Sequence, residues 1–439
     1  MTSYVPNPAA VREEMLRALG LERMSQLFDD IPSHLRYPSL ELPDGKSEWE
    51  VQQRLTELAL KNQSTAEYPS FLGAGAYDHF IPSALDQLLL RSEFYTAYTP
   101  YQAEISQGIL QSIFEYQSLV CALTGMQVAN ASVYDGASAL AEACNMAADA
   151  TRRKKIVIPD TLHPAYQRVL QTYARGGNFA TNVISTSEGQ SAAQLKEAID
   201  RETAAVVVQQ PNFYGLLEQG LEQLAETAHS QKALLIVVVD PISLGLLKPP
   251  GEYGADIVVG EGQALGMPLS FGGPYLGFLA GTEKLMRRIP GRLVGQTVDA
   301  AGERAFVLTL QAREQHIRRE KASSNLCSNQ ALNALAATIY LALIGPRGLQ
   351  EIAERSHRMA VYAANQLNHA GVPLLYQQPF FREFAVRLDQ PAEYNRKLLK
   401  AGIIGGYELP DGMLLAFTEK RNREQVDRLV SVLGGALHE

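Results

Sequence analysis

Between residues 126 and 281, short apolar runs alternate with stretches of helical periodicity, and this alternation decides the fold class. The runs are MQVANAS, KIVIP, NVIST, AAVVVQQ, LLIVVVD, DIVVG and GPYLGFLAG. Between most of them lie DGASALAEACNMAADA, PAYQRVLQTYARGG, SAAQLKEAIDR and LEQLAETAHSQK, which read as helices. Several runs are continuously apolar, as strands buried on both faces must be. Strand–helix alternation of this kind predicts a mostly parallel sheet covered by helices, an α/β fold. Ligands of such sheets sit in the crevice outside the carboxyl ends of the strands.

The flanks differ from this centre. The first sixty residues are polar and helical: VREEMLRALG is closed by Gly20, and SEWEVQQRLTELALKN opens with Ser47 and Glu50 in a capping box. The Pro-rich stretch between them gives the segment the character of an arm laid over something else. A further helix is expected from about residue 104 to Gly125. Beyond residue 330, a long helix over GLQEIAERSHRMAVYAANQLNHAG precedes REFAVRLD and GMLLAFTE, which alternate like strands exposed on one face. The expected organisation is therefore an arm over 1–65, a large α/β domain over 66–330 and a small α+β domain over 331–439. A length of 439 residues agrees with two to three domains.

Composition narrows the class. A formal charge of −8 argues against a nucleic-acid or anionic-membrane binder. Cys121, Cys144 and Cys327 are far apart, with no Cys-x-x-Cys pair and no zinc spacing, so reduced thiols are expected and no metal. The start of the chain lacks an apolar leader segment, and a cytoplasmic protein is expected.

Several residues can carry chemistry. The turn at Gly136 and Ser138 opens a helix straight after a strand, which makes an anion seat, or simply a capped strand-to-helix turn. Asp240 ends a buried strand; it can pair with a protonated pyridine nitrogen or cap the Pro241 turn. His163 can stack on a flat cofactor ring or serve only structure. A pyridoxal phosphate enzyme also needs a Schiff-base lysine. The segment after the next strand, EGQALGMPLSFGGPYLGF, has none, and Gln263 stands where it is expected. SEFYTAYTPYQAEISQG places Tyr95, Tyr98, Tyr101 and Glu104 in one loop that can line a site or pack at an interface. REQHIRREKASSNLCSNQ carries Arg313, His316, Arg318, Arg319 and Lys321, either a solvated helix face or a holder of an acidic partner or a neighbouring subunit's phosphate.

SEFYTAYTPYQAEISQG, VANASVYDGASALAEA, VVGEGQALGMPLSFGGPYLGF and TLQAREQHIRREKASSNLCSNQAL together resemble the first-subunit branch of glycine dehydrogenase (decarboxylating), the P-protein family of the glycine cleavage system. The similarity runs over nearly the whole chain. It implies an aspartate-aminotransferase-like fold (pyridoxal phosphate fold type I) and a place in an α2β2 assembly with a homologous second subunit. The implied reaction is loss of CO2 from glycine and transfer of the aminomethyl group to the lipoyl arm of the H-protein. A His-Lys-Thr-Phe stretch carries the cofactor lysine in the second subunit; laid on this sequence, the lysine falls at Gln263 and the downstream proline at Pro268. Gly136, Ser138, His163 and Asp240 match the rest of a cofactor pocket. The resemblance thus implies that pyridoxal phosphate is held by the partner subunit. In that arrangement Tyr95, Tyr98, Tyr101 and Glu104 would be inserted into the partner's site, with Asn325 and the basic run at the contact. Two alternatives stand beside it: a self-sufficient decarboxylase using Lys248 or Lys321, and a purely structural assembly subunit.

Overall fold

The computed structural model describes residues 7–95, 98, 102–186, 189–322 and 324–435. The chain divides into two compact units, residues 1–63 and 64–439. The first unit consists of the helices Ala9–Ala18 and Glu48–Ala59 with short turns between them. Ser47 accepts the Glu50 N–H while the Glu50 carboxylate accepts the Ser47 N–H at 2.8 Å, as the capping box requires. Among its described residues only Leu16 is buried; Leu19, Leu40, Trp49 and Leu55 are exposed.

The second unit is built on a seven-stranded sheet. Its strands are β1 (Val128–Ala129), β2 (Lys155–Pro159), β3 (Ala180–Ile184), β4 (Thr203–Gln210), β5 (Leu234–Val239), β6 (Ile257–Glu261) and β7 (Gly277–Gly281), in the order β1-β7-β6-β5-β4-β2-β3. Pairs from β3 to β6 are parallel, and β7 runs antiparallel to both β6 and β1. The apolar runs are continuous because alternate residues enter two cores. Val157, Val206, Val237 and Val258 pack on one face, against Tyr116 and Tyr340. Ile156, Val207, Ile236 and Ile257 pack on the other, under the helix Gly136–Thr151.

Two elements differ from the sequence-based expectation or extend it. A hairpin of β8 (Leu293–Val298) and β9 (Arg304–Thr309) follows β7. The helix Ala331–His369 spans 39 residues and is kinked at Gly345, just before Pro346. It is long and apolar enough to cross a membrane, yet Ala334, Ala337 and Tyr340 on it are buried in the core of the sheet.

A second sheet joins β10 (Glu383–Arg387), β11 (Tyr407–Leu409) and β12 (Gly412–Ala416), ordered β10-β12-β11 and wholly antiparallel. The expectation of one exposed face is corrected here. β12 is buried throughout, because Met413 and Leu415 face one core while Leu414 faces Phe213 and Ala385 on the other. Ser70 pairs with Ile404, and Phe71 lies in the core beneath this sheet.

Candidate functional site

The carboxyl ends of β2, β4, β5 and β6 open into one cleft, lined by His163, Gln209, Asp240, Glu261 and Gln263 from the large sheet, Gly75 and Tyr77 from an earlier loop, and Arg382 from the start of β10. Its cavity volume is about 40 Å³, room for a few waters and roughly a tenth of an ordinary ligand pocket.

The cleft is small because the chain's own groups fill it. Arg382 is 1% exposed; it pairs with Asp240 at 2.6 Å and lies 3.7 Å from the centre of the Tyr77 ring. The guanidinium also donates to His79 Nε2, which leaves His79 Nδ1–H to donate to Glu419 at 2.6 Å. Burial, and then the Arg382 charge, lowers the His79 pKa, so the ring is neutral. A buried ion pair of this kind is costly to break from one side, because the survivor is a desolvated charge.

The Gln263 side chain makes three hydrogen bonds. Its Oε1 accepts the Tyr77 N–H at 2.9 Å, and Nε2 donates to the carbonyls of Tyr77 at 3.1 Å and Met267 at 2.8 Å. The Tyr77 hydroxyl donates to Glu383 at 2.8 Å, and the other Glu383 oxygen accepts the Ala74 N–H at 2.7 Å. Burial pushes the Glu383 carboxyl up to about 7.

Glu261 sits at the mouth of the helix Gly136–Thr151. Its carboxyl accepts N–H groups from Gly136 at 3.0 Å, Gln263 at 3.1 Å and Leu276 at 2.9 Å. Burial pushes it up to about 7, against the pull of those donors. The Tyr166 hydroxyl lies where a Cβ on Gly136 would point, and the Ser138 N–H is taken by Asp135 at 2.7 Å. His163 caps its own helix: Nδ1 accepts the Ala165 N–H at 3.0 Å, which leaves Nε2–H to donate to Ala74 at 2.8 Å. Burial lowers its pKa, and its ring packs against Tyr166 and Phe213. Gly75, at φ 102°, lies so close to His163 Nε2 that a side chain there would collide with it.

The structure therefore brings His163, Asp240 and Gln263 together, with Gly136 joined to them through Glu261. Tyr95, Tyr98 and Asn325 lie on the surface, outside the cleft lining. The Glu104 backbone lies in the turn Ala103–Ile105; Tyr101 lies outside the described residues. Sequence reasoning missed Tyr77, Glu261, Arg382 and Glu383. Glu261 carried the signal that singled out Asp240, an acid at the carboxyl end of a buried strand.

The sequence profile described as "Glycine cleavage system P-protein" matches residues 2–433. This chain belongs to the glycine cleavage system P-protein family. "Probable glycine dehydrogenase (decarboxylating) subunit 1" of Syntrophomonas wolfei is 60% identical to it over 434 residues, covering 98% of this chain and 99% of that one. The protein of the same description from Carboxydothermus hydrogenoformans is 54% identical over 441 residues, again covering 98% and 99%. A crystal structure of glycine decarboxylase (P-protein) of the glycine cleavage system, in inhibitor-bound form, superposes with a TM-score of 0.92 at 43% identity, covering 99% of this chain and all of that one. Alanine–glyoxylate aminotransferase from Nostoc sp. shares the fold, with a TM-score of 0.59 at 15% identity, covering 93% and 99%. The fold is pyridoxal phosphate fold type I.

Within this P-protein chain, the residues present do not fit that cofactor. No lysine stands at position 263, and the side chain there is bound to backbone on three sides. Glu261 already takes the Gly136 N–H of the anion seat, and Arg382 already neutralises Asp240.

Proposed function

We propose that this chain is the cofactor-free subunit of a two-subunit glycine decarboxylase and completes a pyridoxal phosphate site carried by the second subunit. The observation that carries this reading is Gln263: the residue covalent chemistry requires is replaced, and the cleft around it is closed by Tyr77, Glu261 and Arg382. The chemistry on glycine then belongs to the partner, where the cofactor serves as electron sink for the carbanion left by loss of CO2. The aminomethyl group passes to the lipoyl arm of the H-protein. The assembly is α2β2 and cytoplasmic.

This chain's part is played by its surface. Tyr95 and Tyr98 are 62% and 66% exposed, a large polar-tipped aromatic area for a single segment to leave unburied. Inserted into the partner's site with Tyr101 and Glu104, their hydroxyls can hold a carboxylate or the lipoyl arm, while Glu104 orients a proton. Asn325 and the basic run, with Arg318, Arg319 and Lys321 exposed, lie at the subunit contact. Neither lysine of the self-sufficient alternative favours that reading: Lys248 is a surface residue paired with Glu222 at 2.8 Å, and Lys321 is exposed outside the cleft.

Two measurements test the proposal. The purified chain mixed with pyridoxal phosphate is expected to give no borohydride-reducible yellow band; such a band on this chain would overturn the reading. In the two-subunit complex, Tyr98→Phe or Glu104→Gln is expected to cut glycine-dependent CO2 exchange by roughly 10- to 1000-fold with assembly intact, as removal of a transition-state contact does. Unchanged exchange in both variants would show that this segment completes nothing.

A further inference from the structure

Beyond the cleft, one exposed feature stands apart. The loop from Pro268 to Pro274 leaves the carboxyl edge of the large sheet just past β6. At its tip Phe271 is 99% exposed. Ser270, Phe271, Gly272 and Gly273 have φ of 44°, 52°, 106° and 128°, four successive residues in the left-handed region. Two of them carry side chains, and a left-handed Phe costs free energy that nothing around its ring repays.

The loop is nonetheless firmly held at its base. The Tyr275 hydroxyl donates to the Leu269 carbonyl at 2.6 Å. Asn333 Nδ2 donates to the carbonyls of Pro274 at 3.2 Å and Tyr275 at 2.7 Å. A large aromatic ring is thus presented to solvent on a fixed support. That is how a pre-organised interface anchor is built: the ordering cost is met within the free chain, before association.

Asn333 also shows what lies beside it. It belongs to the first turn of the helix Ala331–His369, and Ala331 and Leu335 of that turn pack with Phe94 and Ala103 of the tyrosine segment. Leu332 on the same turn is 40% exposed, and Ile105 is 79% exposed. The base of the Phe271 loop and the ends of the tyrosine segment are therefore both tied to the start of this helix.

We propose that Phe271 is the anchor by which this chain docks into an apolar pocket of its partner subunit, beside the segment that enters the partner's site. The occupant is taken to be the second subunit for two reasons. The chain's full-length relatives are described as subunit 1 of their enzyme, and the loop is braced on the same helix start as the segment assigned to that contact. The inference rests on the two-subunit reading but makes a separate claim, about assembly rather than turnover.

The test titrates the second subunit against this chain and follows assembly by sedimentation. Phe271→Ala is expected to raise the dissociation constant roughly 30-fold, as loss of a buried aromatic anchor does, and Phe271→Leu by less. Phe271→Gly separates docking from folding. It removes the ring and also relieves the left-handed backbone, so the isolated variant melts at or above the unmodified chain's temperature while its assembly weakens. A structural role within the chain would move both the same way. A dissociation constant for Phe271→Ala within twofold of the unmodified value overturns the proposal. So does a Phe271-dependent dimer of this chain alone that the second subunit does not displace, which would make a second copy the occupant. Tyr98→Phe serves as the companion variant: if it leaves CO2 exchange undiminished, the completing-residue reading fails while the Phe271 result stands or falls by its own titration.

Discussion

Gln263 is a residue whose whole side chain is committed to backbone. Two of its side-chain hydrogen bonds hold the Tyr77 segment against the carboxyl end of β6, and the third fixes the Met267 carbonyl. An ammonium at this position can donate to carbonyls but cannot accept the Tyr77 N–H. We therefore expect Gln263→Lys to fail as a repair: the variant forms no yellow aldimine with pyridoxal phosphate and loses about 1–3 kcal/mol of stability through the orphaned N–H. Absorbance with the cofactor and urea denaturation check both parts, and an aldimine in this single variant would show that the cleft opens more readily than its filled geometry implies. Asp240 and His163 were legible in the sequence because each ends or follows an apolar run, where a ligand crevice must lie. Arg382 was not: it sits between Phe381 and Phe384 in a run that reads as strand, and only the fold brings it to Asp240, 142 positions away in the numbering. Its pairing turns a would-be cofactor contact into an internal ion pair.

At the scale of elements, apolar runs and their spacing were sufficient wherever burial was one- or two-sided in a regular way. β2 and β4 to β6 follow from their valines and isoleucines. The β8–β9 hairpin did not stand out, because Gln296 and Val298 face outward and dilute the period. The helix expected from residue 348 begins earlier, at Ala331, and runs through Gly345 and Pro346. In the structure they are a kink, with Gly345 at φ 60° and ψ −179°, a region essentially closed to residues with a Cβ. Beyond its own stretch of helix, nothing lies within 4 Å of where a Cβ would sit, so the cost of a side chain there is that of the backbone. Gly345→Ala is expected to destabilise the chain by about 1–3 kcal/mol, read as a lower melting temperature. Unchanged stability would mean that the two helical halves can straighten into one. The kink matters because Tyr340 packs with the large sheet while Ala360 and Ala364 pack beneath the small one, so a single helix braces both.

Taken whole, the molecule holds buried carboxyls that its surface does not explain. Glu142 is 5% exposed and Glu383 4%. Burial pushes both up to about 7, with Ser324 pulling Glu142 the other way and the Ala74 N–H, Tyr77 and Arg382 doing so for Glu383. Glu261 is raised in the same direction. Each group binds its proton more tightly in the folded chain than in the unfolded one, so the folded state carries more protons near neutrality. Stability must then fall as pH rises. The contribution is fully present below the unfolded value of 4.5 and is gone above the folded value of about 7. Between pH 5.5 and 8 the loss is about 2 kcal/mol for each such group. Glu93 and Asp200 are lowered to about 2, chiefly by hydrogen bonds to Arg91 and Lys155; such exposed pairs add little and nothing that changes in this window. Glu142 makes the cleanest test, since it lies outside the cleft and one of its oxygens has no partner. Glu142→Gln keeps the size and removes the titration. We expect the unmodified chain to lose urea resistance from pH 5.5 to pH 8, and the variant to lose about 2 kcal/mol less over the same interval. Identical pH profiles for the two would show that Glu142 is ionised throughout and paired by a rearrangement of the loop around Ser324.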